Sequence, residues 1–300
     1  MKDLDSSVSA SARGFLAGRS VHRVGYGAMQ LAERGNRPPV GTDEAVALLR
    51  RAVELGVDHI DTAEFYGDGV ANEFIRTALH PYSDDLVLVS KVGAQRLPDG
   101  TLVPAQKPSE LRAGVEANLR RLAVERVAVV NLRRVDGGPG IVATGDQIVD
   151  LDSQLAELIS LRDEGKIGGI GLSNVDLGQL RHAMPAGIVC VQNVYNLLDR
   201  THEVLLAECR EHDVAFVPFF PLGSGFPGAR RVTEDPAVVE TADRMGTSPA
   251  QVGLAWLLAH AREILLIPGT ADVAHLELNI ATGDLVLDDA ALRRLDSVSA

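Results

Sequence analysis

Short runs of apolar, mostly β-branched residues recur along the chain at Val24–Gly27, Val57–Ile60, Leu86–Val89, Val127–Leu132, Ile167–Leu172, Val189–Gln192, Ala215–Pro218 and Ile264–Ile267. They are apolar at nearly every position instead of alternating, which is the pattern of parallel strands covered on both faces. Between them lie stretches with helical spacing and recognisable starts. Thr42 precedes Asp43, Glu44 and the row Val46, Leu49, Val53, and Gly56 closes that segment. Pro108-Ser109-Glu110 opens Leu111–Leu122, and Ser248-Pro249 opens Ala250–His260 with proline at the first helical turn, where its missing N–H costs nothing. Eight strands alternating with about eight helices predict an α/β fold of the (β/α)8 or TIM-barrel type. An open doubly wound sheet is disfavoured, because Gly25-Tyr26-Gly27 leads into Met29 and Gln30 with no G-x-G-x-x-G after the first strand.

A chain of 300 residues suits one such barrel, so we expect a single domain over residues 1–300, with a short N-terminal β-hairpin cap and residues 1–13 as a disordered tail. The core must be built from Ala, Val, Leu and Ile, since 46% of residues are hydrophobic but only 4% are aromatic. A formal charge of −12 opposes binding to phosphate backbones or anionic lipids, which argues against nucleic-acid and membrane partners. Two cysteines without a Cys/His cluster suggest neither a disulfide framework nor a zinc site, and no metal is expected. The first residues lack a basic segment followed by an apolar one, so a cytoplasmic protein is expected. No protein partner can be read from the pattern. The Gly/Pro-rich stretches Ala94–Lys107, Arg134–Gln147 and Gly223–Asp235 are candidate substrate-covering loops.

Side chains at the C-terminal strand ends of a barrel converge on one mouth. There the second run continues into Asp61-Thr62-Ala63-Glu64-Phe65-Tyr66-Gly67, the third into Ser90-Lys91, and the fourth into Arg133. An Asp after a strand is often a helix cap, and a Lys at a strand end is usually solvated. Together they describe a chemistry. A phenol has a pKa near ~10; an ammonium beside it lowers that value, and a carboxylate holds the ammonium in place. The expectation is a Tyr66 that exchanges a proton with a carbonyl or alcohol oxygen without a metal.

These residues carry a family likeness. Asp61-Thr62-Ala63-x-x-Tyr66-Gly67, Lys91, Gly171-Leu172-Ser173-Asn174, Gln192-Asn193-x-Tyr195-Asn196, Pro221-Leu222-Gly223-Ser224 and Ile267-Pro268-Gly269-Thr270 resemble, in order and over nearly the whole chain, the aldo-keto reductase superfamily, in particular bacterial members related to pyridoxal reductase. The resemblance implies a reductase that moves hydride from NADPH to an aldehyde or ketone, with a small-molecule carbonyl such as pyridoxal as substrate. It makes Asp61, Tyr66 and Lys91 three members of a catalytic tetrad. It implies that Ser173, Asn174 and Gln192 hold the nicotinamide carboxamide and that Phe219 stacks on the ring. It places Pro221, Leu222, Gly223 and Ser224 along the pyrophosphate, and Gly27, Ala28 and Met29 beside the ribose, with Asp61 at the cofactor as well.

Two departures bear on function. Relatives carry a His where this chain has Arg133, and a guanidinium stays charged and delivers no proton. It remains able to polarise the carbonyl; alternatively it pairs with a loop acid such as Asp136. The segment Gly269-Thr270-Ala271-Asp272-Val273-Ala274-His275-Leu276-Glu277-Leu278-Asn279 also lacks the Lys and Arg that relatives place on the 2′-phosphate of NADP. Thr270, His275 and the helix N-terminus are left for that task, with Asp272 as an alternative cap, and Gly269 and Asn279 are further cofactor contacts; NADP is expected and NAD is not excluded. Two rivals follow: a nicotinamide-binding sensor or partner subunit with weak turnover, and a Schiff-base aldolase using Lys91. Trp256 and Cys190 read as core, Asp84-Asp85 and Asp288-Asp289 as helix-start or surface charge, and His59 as a buried, hydrogen-bonded histidine.

Overall fold

The computed structural model describes residues 13–33, 38–137, 140–223 and 230–298. Strands β1 (Arg13–Leu16) and β2 (Arg19–His22) form an antiparallel hairpin, followed by β3 (Tyr26–Gly27), α1 (Met29–Ala32), α2 (Thr42–Glu54), β4 (His59–Asp61), α3 (Val70–Leu79) and β5 (Val87–Val92). A second hairpin, β6 (Ala94–Arg96) and β7 (Leu102–Pro104), precedes α4 (Pro108–Leu122), β8 (Val127–Arg133), α5 (Leu151–Asp163), β9 (Ile167–Ser173), α6 (Leu177–Ala183) and β10 (Ile188–Gln192). Then come α7 (Glu203–Glu211), β11 (Ala215–Phe216), α8 (Pro236–Met245), α9 (Pro249–His260), α10 (Val273–Ala281) and α11 (Asp289–Asp296).

Seven strands make one curled, wholly parallel sheet in the order β11-β10-β9-β8-β5-β4-β3, with helices as the crossovers. The eighth apolar run forms no named strand. Residues 264–266 nevertheless touch both sheet edges through parallel bridges, Ile264 to Phe216 and Leu266 to Val24. Leu266 N–H donates to Arg23 O at 2.7 Å, and Gly25 N–H to Leu266 O at 2.8 Å. The Arg23 side chain spans the same junction, its Nε donating to Ile264 O at 3.1 Å.

Strand parity sorts the residues. Val87, Val89, Val129, Cys190, Ala215, Val217 and Leu265 form an apolar cluster inside the curl, and Leu16 and Val21 of the first hairpin pack into it. The intervening positions, among them Ile60, Leu88, Val130, Ile170, Val191 and Leu266, join the larger core beneath the helices. This double coverage is why the runs read as apolar throughout.

The expected helix starts hold at Pro108 and at Ser248, whose hydroxyl accepts from Gln251 N–H. Thr42 is instead the first helical residue of α2, and Gly41 is its N-cap with extended backbone and no side-chain bond. Ala94–Lys107 is not a plain loop, because the Asp99-Gly100 turn, with Gly100 at φ +84°, lets β6 pair with β7. Of the expected tail, residues 1–12 lie outside the described residues, whereas Arg13 begins β1 and donates to Ser20 and Asp58. His59 is buried, but neither ring nitrogen has a hydrogen-bond partner; its Nδ1 stands 3.6 Å from Asp58 Oδ1, and the ring packs where a Cβ on Gly25 would clash. Among the described residues no helix is long and apolar enough to cross a membrane.

Candidate active site

The strands run further toward their C-terminal ends than the apolar runs do, because the added residues are polar and face inward. Register places Lys91 of β5 beside Asn131 of β8, Asn131 beside Gly171 of β9, and Arg133 beside Ser173. A Cβ on Gly171 would lie 2.0 Å from Asn131 Oδ1, so the glycine makes room for the buried amide. Above the apolar cluster there is thus a polar inner layer, to which β4 adds Asp61 and β10 adds Gln192.

The three expected groups meet there. The Lys91 ammonium donates to Asp61 Oδ1 and, at 3.3 Å, to Thr62 O. Its Nζ lies 5.1 Å from the centre of the Tyr66 ring. The Lys91 and Asp61 side chains are 8% and 3% exposed, so this is a desolvated ion pair whose strength comes from low dielectric and close contact. Burial alone would lower the lysine pKa, but Asp61 and Tyr66 overcome that and raise it, so the ammonium stays charged. Tyr66 is corrected in sign. Burial pushes its phenol above the ordinary value, and Lys91 and Arg133 offset only part of that rise. The group is therefore held as a protonated phenol across the neutral range and not as a preformed phenolate.

Arg133 ends β8 with its guanidinium carbon 5.8 Å from the centre of the Phe65 ring. Burial lowers its pKa, opposed by Tyr66 and Glu33. The alternative pairing with Asp136 does not occur: Arg134, pointing the other way, takes both Asp136 oxygens at 2.8 and 2.7 Å and also donates to Val149 O.

Gln192 is 1% exposed, and its Nε2 donates to Asp61 Oδ2 at 2.6 Å, while its Oε1 has no partner. Its expected task at a carboxamide therefore rests on Oε1 alone. Ser173 is buried beside it. Asn174 sits at φ +60° and spends its Nδ2 on Arg134 O and Gly137 O, which holds the loop after β8 and leaves only its Oδ1 uncommitted. Phe219 is partly buried at the end of the segment following β11, edge-on to Phe220 with ring centres 5.3 Å apart. Pro221 and Leu222 are partly buried, and Gly223 at φ +91° leaves no room for a Cβ against Arg230 O. Ser224 lies outside the described residues.

Across the mouth, Gly27 and Gly269 approach backbone to backbone: a Cβ on Gly27 would meet Ile267 O at 2.5 Å, and one on Gly269 would meet Gly27 O at 2.7 Å. Ala28 is buried with its N–H on Asp61 O at 2.8 Å, and Met29 is half-buried. Thr270 O accepts from the buried Tyr26 hydroxyl at 2.6 Å. Asp272 caps α10, accepting from His275 N–H at 2.9 Å. The His275 side chain is exposed, and Asn279 lies one turn further along. Glycines at close approaches, an unpartnered buried amide oxygen and a capped helix start fit an elongated dinucleotide lying across the strand ends.

Several positioning residues escaped the sequence reading. Glu33 accepts from Arg96 Nε at 3.0 Å and from Gly67 N–H at 3.2 Å, and Arg96 also donates to Phe65 O at 2.9 Å. The turn bearing Tyr66 is therefore clamped from two sides. Behind it, Thr62 Oγ1 donates to Asn72 Oδ1 at 2.8 Å, while Asn72 Nδ2 donates to Glu64 and Asn118, and Ser90 donates to Asn118. Asn72 and Asn118 occupy buried positions of α3 and α4. A polar residue on the apolar stripe of a helix was the available signal.

The aldo/keto reductase family model matches residues 23–300. The chain is 43% identical over 286 residues to pyridoxine 4-dehydrogenase of Escherichia coli K12, covering 95% of this chain and 97% of that protein. It is 29% identical to a methylglyoxal reductase from the same organism, covering 92% and 90%. Among solved structures it resembles an aldo-keto reductase from Klebsiella pneumoniae in complex with NADPH, with a TM-score of 0.75, 28% identity and coverage of 92% and 90%. A second Klebsiella pneumoniae aldo/keto reductase, in complex with NADP and acetate, gives a TM-score of 0.78 at 27% identity, covering 95% and 94%. With its motifs, its parallel sheet and these relatives in agreement, the chain belongs to the aldo/keto reductase family.

Proposed function

We propose that this protein is an NADP-dependent reductase of small aldehydes or ketones in which Tyr66 protonates the carbonyl oxygen. The observation that carries this reading is the buried Asp61–Lys91 pair beside a phenol held protonated by burial. When bound, the reduced nicotinamide supplies the hydride, which adds to the carbonyl carbon. Tyr66 donates the proton that the oxygen then needs, and the fixed Lys91 ammonium stabilises the phenolate left behind. Asp61 holds Lys91 charged, and Gln192 holds Asp61. Arg133 polarises the carbonyl as a permanent cation and takes no part in proton transfer.

Gln192 Oε1, Ser173 and Asn174 Oδ1 orient the carboxamide, and Phe219 packs on the ring. Gly27, Ala28 and Met29 line the ribose, and Pro221, Leu222 and Gly223 follow the pyrophosphate. Gly269, Thr270, His275 and Asn279 flank the adenosine end. NADP is preferred on the strength of relatives whose structures hold it. The same reading closes the curled sheet into a (β/α)8 barrel through residues 264–266, with the β1–β2 hairpin across its N-terminal end; the bonds of Leu266 and the packing of Leu16 support it. A pyridoxal-like aldehyde is the first substrate to try, given the pyridoxine 4-dehydrogenase relative.

The test is oxidation of NADPH and NADH with a panel of aldehydes and ketones, on the native protein and Tyr66→Phe. The reading requires turnover that drops roughly 100-fold or more in the variant. Cofactor binding without turnover on any carbonyl would instead favour a sensor.

A further inference from the structure

Arg133 differs from several other arginines of this acidic chain, which hold carboxylates. Its neighbour Arg134 holds Asp136, Arg96 holds Glu33, and Arg112, Arg121 and Arg244 each hold one or two carboxylates. Arg133 has no ion-pair partner among the described residues. Asp61, the acid of the inner layer, is committed to Lys91 and Gln192, and Glu33, whose charge reaches Arg133, is held by Arg96. Residues 34–37, 138–139 and 224–229 contain no Asp or Glu. Among the described residues the Asp61 and Lys91 charges cancel, as do those of Glu33 and Arg96, which leaves the Arg133 guanidinium, beside Tyr66 and the Phe65 ring, without a carboxylate of its own. A half-buried cation without an anion is unfavourable, and a ligand that brings the anion removes that penalty.

We propose that Arg133 selects carbonyl substrates that carry an ionised oxygen two or three bonds from the carbonyl carbon. A 2-oxocarboxylate and an aryl aldehyde with an ionised ortho hydroxyl are the two simplest forms. In both, the carbonyl oxygen and the anionic oxygen lie side by side, at a spacing that the parallel N–H groups of a guanidinium match. One N–H holds the carbonyl oxygen toward Tyr66, and the other holds the anion. A lysine presents a single point charge and cannot bridge the two in this way. The inference rests on Tyr66 as the acid and adds the substrate class to that reading.

The experiment compares kcat/KM for 2-hydroxybenzaldehyde, 2-methoxybenzaldehyde and 4-hydroxybenzaldehyde across the ionisation of the phenols, on the native protein, Arg133→Met and Arg133→Lys. The 4-hydroxy isomer shares the electronic effect of the ionised oxygen but places it out of reach. In the native protein, preference for the 2-hydroxy over the 2-methoxy compound should rise with pH to roughly 10- to 100-fold, the range of a charged hydrogen bond, while the 4-hydroxy isomer gains nothing. Arg133→Met should abolish that rise, and Arg133→Lys should keep a fraction of it. Arg133→Met slowing the 2-hydroxy and 2-methoxy substrates by one common factor overturns the proposal, as does a native preference that ignores pH. Either result leaves the role of Tyr66 standing, because Tyr66→Phe tests that separately. If Arg133→Met does not fold, the native pH profile decides alone.

Discussion

Exchanging Lys91 for Met strands the Asp61 carboxylate. In the native protein Oδ1 accepts from the ammonium and Oδ2 from Gln192, with the carboxylate side chain 3% exposed. Methionine fills similar space but leaves a buried charge with a single neutral donor. Removing one member of a buried pair costs about 3–5 kcal/mol. For a chain of this size each kcal/mol lowers Tm by roughly 2 °C, so a fall of about 6–10 °C is expected. Adding Asp61→Asn to Lys91→Met removes the stranded charge and should recover more than half of the loss, leaving roughly 1–2 kcal/mol for the weakened hydrogen bonds. Urea unfolding followed by the fluorescence of Trp256, the single tryptophan and a fully buried one, measures Lys91→Met, Asp61→Asn and the double variant. If the double variant costs the sum of the two single ones within about 0.5 kcal/mol, the pair is not coupled and the electrostatic account of the site fails.

Other outcomes follow from the same geometry. Carbonyl reduction by the native protein should hold its rate as pH rises toward ~10 and fall only above it, because burial raises the Tyr66 pKa and keeps the proton in place; stopped-flow rates at graded pH read this directly. Asp272→Asn keeps the α10 cap but deletes a carboxylate from the proposed adenosine end, so on that placement KM for NADPH should fall several-fold while KM for NADH stays put. Equal changes for both cofactors would place the 2′-phosphate elsewhere. Burial opposes ionisation of Asp58, yet His59 and His22 outweigh it and depress its pKa to about 2. A depressed carboxylate contributes stability that is full above ~4 and lost as pH falls through about 2, so Asp58→Asn should cost about 2 kcal/mol at neutral pH and nothing at the acid end of that window. Tyr82, raised by burial to about 12, acts in the opposite sense: its contribution is whole below ~10 and disappears as pH rises through about 12, and Tyr82→Phe should flatten that alkaline limb.

Much of the scaffold could be read from the sequence because parallel strands buried on both faces leave an uninterrupted apolar signature. Their ends could not. Lys91, Arg133 and Ser173 belong to the strands, but their polarity cuts the apolar run before the strand stops. The tyrosine, lysine and aspartate were identifiable as types at successive strand ends, and the structure brings them together. The sign of the Tyr66 shift was not accessible, since it depends on how deeply the ring is buried compared with how close the ammonium lies. Choosing between Arg133 and Arg134 as the partner of Asp136 needed strand parity at one residue's resolution. The Glu33–Arg96 clamp joins segments 63 residues apart through a hairpin that the composition of residues 94–107 disguised as a loop.

The contact between Gly27 and Gly269 has a consequence for how the molecule comes together. Arg23 and Ile264, bonded at this junction, are 241 residues apart in sequence, so joining them closes nearly the whole chain into a loop and costs entropy accordingly. A contact this non-local is expected to form late in assembly, and pulse-labelled hydrogen exchange during refolding would read its place in the order. On the proposed placement of residues 269–279 at the adenosine end, the cofactor site is complete only once that contact has formed. A dinucleotide gripping both rims would act as a clasp, slowing the first opening event on the way to unfolding more than it speeds folding.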